Sequence, residues 1–130
     1  VISWQHWIAV SEVNYCDGLI YINLDDKTFE MTKRYYVTGN FSKYVPAGSV
    51  RVDVACDDSE LRLLAFKYDD GCAVIVINST KKEKELSLPE QYSAVKSAVT
   101  DDNNDLREYD IADPGHIKIT PRSVTTIILR

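Results

Sequence analysis

The spacing of apolar positions changes across residues 34–52, Arg34-Tyr35-Tyr36-Val37-Thr38-Gly39-Asn40-Phe41-Ser42-Lys43-Tyr44-Val45-Pro46-Ala47-Gly48-Ser49-Val50-Arg51-Val52. Before Pro46 the aromatic and apolar residues recur at helical spacing. After Gly48 they alternate, with Val50, Val52 and Val54 on one side and Arg51 and Asp53 on the other. Such a switch across a Pro-x-Gly turn predicts a helix running into a strand. The helix is expected over Phe29 to Tyr44, capped by Thr28 or Asp26. Gly39 would weaken an isolated helix by up to about 1 kcal/mol relative to Ala, so its use there predicts close packing. The strand is expected over Ser49 to Cys56, with its three valines facing inward.

The same pattern divides the rest of the chain. Val1 to Trp4 is apolar from the first position and reads as a buried strand already under way. Free termini are usually exposed and polar, so this start suggests a piece of something longer. Ser11 to Gly18 is polar and turn-like, Leu19 to Leu24 is a short β run, and Asp25 to Thr28 is a turn. Strands follow over Leu61 to Tyr68, Cys72 to Ile77, Lys82 to Leu88, Ala94 to Thr100, Leu106 to Asp110, His116 to Thr120 and Ser123 to Leu129. Asp69-Asp70-Gly71 lies between two apolar runs and signals a hairpin. Cys72 to Ile77 is unbroken and β-branched, the pattern of a central strand covered on both faces. In the charged segment before Leu88, Leu86 and Leu88 are expected inward, with Lys84 and Glu85 at the rim. Short strands separated by turn signals predict an antiparallel β-sandwich over residues 47–130, preceded by a separate strand, loop and helix over residues 1–46.

Composition narrows the function classes. The chain has 130 residues, a net charge of −5 and a pI near 4.9. No basic patch stands out, so no nucleic-acid partner is expected. No run approaches the roughly 18 apolar residues of a membrane span, so no membrane partner is expected. Cys16, Cys56 and Cys72 form no CxxC pair, and spacing leaves their disulfide state open. His6 and His116 lie in unrelated contexts, which argues against a zinc site, and neither a metal nor a cofactor is expected.

Few residues carry candidate chemistry. Asp101, Asn103 and Asp105 match the first ligands of an EF-hand loop. The match then fails at Leu106, where Gly is needed, and at Ala112, where a bidentate Glu is needed, so a plain turn is expected. No carboxylate pair is nominated for acid–base work, and no nucleophile elbow is present, so no catalytic residue is assigned. Trp4-Gln5-His6-Trp7 is the suggestive stretch. Aromatic faces stack on the apolar faces of sugar rings, and a neighbouring amide can bond hydroxyls. The plainer reading makes Trp4 and Trp7 core residues.

Trp4-Gln5-x-Trp7, Asp17-Gly18-Leu19-Ile20-Tyr21-Ile22, the stretch from Gly39 to Val52, Thr100-Asp101 with Asn104 and Leu106, and Thr120-Pro121-Arg122-Ser123-Val124-Thr125-Thr126-Ile127 together resemble the C-terminal part of glycoside hydrolase family 30. The likeness is greatest to its endo-β-1,6-galactanase-like and glucosylceramidase-like branch. The resemblance implies a mainly β fold: an antiparallel β-sandwich side domain preceded by the last strand and helix of a (β/α)₈ barrel. Val1 to Trp4 would be the eighth barrel strand and Phe29 to Tyr44 the last barrel helix. The family's two catalytic glutamates would lie upstream of Val1. Trp4 matches the aromatic residue that walls the sugar site, and Gln5, Trp7 and Tyr15 join it as substrate-binding candidates. The resemblance further implies an extracellular or cell-surface parent whose barrel is this chain's partner, with carbohydrate as ligand. The family's side domain also takes a strand from before the barrel, so this chain should leave a sheet edge open, and residues 1–44 should repack on the sandwich or form a dimer contact.

Two other readings remain. An independent carbohydrate-binding module would need a flat platform of Tyr68, Tyr92 and Tyr109. A partner-docking domain unrelated to sugars would need an apolar patch away from residues 1–44.

Overall fold

The computed structural model describes residues 4–130. Its centre is a six-stranded antiparallel sheet built from β4 (Val50–Val52), β5 (Leu61–Tyr68), β6 (Gly71–Asn78), β8 (Ala94–Thr100), β9 (Arg107–Asp110) and β11 (Ser123–Leu129), in the order β4-β5-β6-β11-β8-β9. A two-stranded ribbon of β7 (Lys84–Leu86) and β10 (Ile117–Ile119) lies over one face. β6 is central and covered on both faces, as its unbroken apolar run predicts: Ala73, Val74, Ile75 and Val76 are all buried. Asp69 and Asp70 form the β5–β6 turn, and Gly71 begins β6 opposite Tyr68. A Cβ at Gly71 would lie 2.3 Å from the carbonyl oxygen of Leu129, so the close approach of β11 requires glycine there.

The core fills the space between sheet and ribbon. Leu61, Ala65, Val74, Val76, Ile127 and Leu129 point from the sheet, and Leu86, Ile117 and Ile119 meet them from the ribbon. Leu86 is therefore inward as expected, with Leu88 partly buried against the same cluster. Asn78 ties the layers: its amide donates to the carbonyls of Lys82, Ile119 and Thr120 and accepts from Thr80.

Side chains alternate along strands, so the neighbours of these core residues face the other side. There lies α1 (Lys33–Ser42), packed over β8 and β11. Asn40 is fully buried; its amide donates to the Ala98 carbonyl and to Thr126 Oγ1, and Thr126 donates back to the Asn40 carbonyl. Gly39 faces Leu106, and a Cβ there would come within 2.8 Å of its Cδ2, which accounts for glycine at this helical position. At the far end Lys43 and Tyr44 both reach Glu108 on β9. These bonds hold Glu108 well below its ordinary value, at about 2. Lys43 is raised by the same contact.

Two expectations need correction, and a third lies largely outside the described residues. The helix begins four residues later than its periodicity predicts, because residues 28–31 are claimed by a strand. β3 (Thr28–Met31) pairs antiparallel with β2 (Ile20–Asn23), and β1 (Val10–Ser11) pairs parallel with β2. The N-cap is accordingly Thr32, not Thr28 or Asp26; its hydroxyl accepts from the Tyr35 amide. Val50, Val52 and Val54 are exposed rather than inward. Val50 and Val52 share the face of Ala65 and the ribbon, but β4 is an edge strand and the two-stranded ribbon does not cover it; Val54 lies beyond its end. The expected barrel strand at Val1 to Trp4 falls largely outside the described residues, and Trp4 itself belongs to no strand.

Candidate functional site

All four sequence-selected residues lie upstream of the sandwich, and all are exposed. Trp4 is 70% exposed, and Trp7 and Tyr15 are 76% exposed, so neither tryptophan joins the core. Gln5 is exposed between them. Among the described residues the ring contact of Trp4 is with His6, at 6.1 Å between centroids, rather than with Trp7 or Tyr15. Leu24, just after β2, and Phe29, on β3, are exposed as well. No described residue before Leu61 belongs to the buried hydrophobic core.

What holds this surface is a knot of hydrogen bonds at residues 16–19. The amides of Asp17 and Gly18 both donate to Tyr21 Oη, at 2.8 and 2.9 Å. Arg34 donates to the carbonyls of Cys16 and Gly18, and Thr32 Oγ1 to those of Gly18 and Leu19. His6 Nε2 lies 2.6 Å from the Asp17 carbonyl oxygen. A carbonyl only accepts, so that ring nitrogen carries the proton. Gly18 is buried, and a Cβ there would stand 3.0 Å from the Tyr21 ring. Sequence reasoning selected none of His6, Tyr21, Thr32 or Arg34 for this task. Asp17-Gly18 marked the turn, but which distant side chains close it has no local signal.

Two concavities stand elsewhere. One, of about 280 Å³, is lined by Lys33, Val37, Ile77, Asp101, Asp102 and Arg122. Its polar groups are engaged with one another: Arg122 with Asp102, and Lys33 with Asp105 nearby. Burial pushes the Asp101 carboxyl up, but donors from Thr120, Asn103 and Asn104 more than offset this and leave it below the usual carboxylate range. The Asp101–Asp105 loop is thus a turn organised by its own first carboxylate. The other concavity, of about 480 Å³, is lined by Glu12, Ile22, Asn23, Leu24 and Asp25. Among the described residues no group of His, Cys, Asp and Glu is arranged to hold a metal ion. The three cysteines are free thiols.

The tyrosines of the binding-module reading occupy separate elements: Tyr68 ends β5, Tyr92 precedes β8 and Tyr109 lies on β9. Tyr109 is already engaged, its ring by Arg107 and its hydroxyl by Asn104.

The described residues thus form a two-layer antiparallel sandwich with a helix on its outer face. The chain belongs to the glycosyl hydrolase family 30 beta sandwich domain family, whose model matches residues 48–127. It is 34% identical over 71 residues to the lysosomal acid glucosylceramidase of Mus musculus, across 54% of this chain and 14% of that protein. Among solved structures it resembles a conserved exported protein from Bacteroides fragilis, at TM-score 0.82 and 21% identity over 92% of this chain and 28% of that one. It also resembles the family 30 subfamily 8 xylanase Xyn30A from Clostridium acetobutylicum, at TM-score 0.70 and 23% identity over 90% of this chain and 32% of that one. The chain thus spans a third or less of each of these relatives. The likenesses to solved structures speak for the fold.

Proposed function

We propose that residues 47–130 are the non-catalytic side domain, and residues 1–46 the barrel tail, of a secreted retaining glycoside hydrolase acting on β-linked polysaccharide. The observation that carries this reading is the contrast between the two parts. The sandwich has a buried core, left uncovered only along the edge strand β4, whereas residues 4–31 expose Trp4, Trp7, Tyr15 and Phe29 and add no buried apolar residue to it. An apolar surface of that kind needs a covering layer. In this reading the upstream barrel supplies it, and the sandwich braces that barrel through α1. Trp4, with Gln5, Trp7 and Tyr15, then forms part of the wall of the sugar cleft. The two glutamates of a retaining mechanism, one nucleophile and one acid–base, lie on the barrel.

The test is hydrolysis of β-1,6-linked galactan and glucan by this chain beside its full-length parent. The chain is expected to be inert and the parent active. Turnover by the chain alone would overturn the reading, and Glu12 and Asp25, which line one concavity together, would be the first carboxylates to replace.

A further inference from the structure

Every backbone polar group from Cys16 to Leu19 has a partner within this chain. The four amides are taken by Asn14 Oδ1, by Tyr21 Oη twice and by the Ala9 carbonyl. The four carbonyls are taken by Arg34, His6, Thr32 and, at Gly18, by Arg34 and Thr32 together. Apart from Ala9 and the nearby Asn14, the partners come from three places. His6 sits inside the Trp4–Trp7 segment, Tyr21 sits on β2, and Thr32 and Arg34 sit at the start of α1. The helix is in turn fastened to the sandwich through buried Asn40 and through Glu108. A loop whose backbone amides and carbonyls are all engaged is stiff, because moving it breaks several bonds at once.

We propose that Arg34, acting with Tyr21 and Thr32, is a positioning residue that fixes the aromatic segment Trp4–Trp7 relative to the sandwich. The path is continuous: sandwich to α1, Arg34 to the Cys16 and Gly18 carbonyls, and the Asp17 carbonyl to His6, which lies between the two tryptophans. Arg34 suits the role because its planar fork spans two carbonyls two residues apart, which a lysine cannot do. Its neighbour Lys33 points instead to Asp105. The inference rests on reading Trp4 and Trp7 as the sugar-facing wall, and it gives the side domain a specific means of bracing that wall.

Trp4 and Trp7 are the two tryptophans of the chain, so tryptophan emission reports on this segment alone. Time-resolved anisotropy is measured on the chain and on Arg34→Met, Arg34→Lys, Tyr21→Phe and Lys33→Met, with far-UV circular dichroism confirming the fold of each. Arg34→Met and Tyr21→Phe are each expected to lower the anisotropy, so failure of one to fold leaves the other decisive. Arg34→Lys should restore part of the loss, and Lys33→Met should leave the anisotropy unchanged. An unchanged anisotropy in Arg34→Met, or an equal fall in Lys33→Met, overturns the proposal. Titration of the full-length parent and its Trp4→Ala variant with β-1,6-galactobiose, followed by calorimetry, separates the two ideas. An affinity unchanged by Trp4→Ala counts against the sugar wall, while the anisotropy decides the tie.

Discussion

Asn40 joins helix and sheet through a fully buried polar side chain. Its amide gives both protons away, to Ala98 and Thr126, while its own Oδ1 has no partner among the described residues. Replacing it leaves a buried carbonyl short of a donor and opens a small void. Asn40→Ala is therefore expected to cost about 1–3 kcal/mol, measured as a shift in the urea midpoint at constant m-value. Asn40 lies within the stretch from Gly39 to Val52 that first marked the chain, yet its burial was not legible there. A helical Asn is ordinarily read as solvated, and only the sheet behind it shows that it is not.

Among elements, the helix-to-β9 contact carries a pH signature. Glu108 accepts from Lys43 and Tyr44 and lies within 3.5 Å of the Lys96 ammonium. Its carboxyl titrates near 2 in the folded chain, against an ordinary value of 4.5. A depressed acid stabilises the fold above its unfolded pKa and loses that contribution as pH falls through the folded one. Thermal stability should thus decline between about pH 5 and 2. Glu108→Gln should flatten part of that decline in a series of melting curves. It will not remove all of it, because Asp58, Asp101 and Asp113 are also held low by their partners. The pairs are exposed, so added salt should shrink the difference between variant and parent. The start of α1 shows a limit of periodicity at this level. Thr28 to Met31 fits a helix face, but β-branched Thr28 and aromatic Phe29 also suit a strand, and β2 lay ready to pair. The hairpin at Asp69-Asp70, by contrast, was legible because its turn chemistry and both flanking runs are local.

Over its described residues, the molecule is a sandwich with a buried core, joined to a segment whose surface exposes Trp4, Trp7, Tyr15 and Phe29. In the absence of a covering barrel, that surface is expected to bury itself against a second copy through residues 4–31. Sedimentation velocity should then show a concentration-dependent dimer, and the triple variant Trp4→Ser, Trp7→Ser, Phe29→Ser should shift it to monomer. A dimer that survives those changes would point instead to the edge strand β4 and its exposed valines. That Trp4, Gln5, Trp7 and Tyr15 face sugar is a proposal that rests on family likeness; what the structure adds is that they are exposed.

Strand content, the sandwich class and the central place of β6 follow from the chain's own alternation and turn residues, because those signals lie within a few residues of where they act. The family likeness is likewise written in local motifs. Tertiary structure alone decided where α1 begins, which valines stay uncovered and how residues 16–19 are held. Each of these depends on a partner far along the chain: β2 for Thr28–Met31, the extent of the β7–β10 ribbon for Val50 and Val52, and Arg34 for the Cys16 and Gly18 carbonyls. Period encodes which face a residue presents, and only the fold determines whether anything lies against that face.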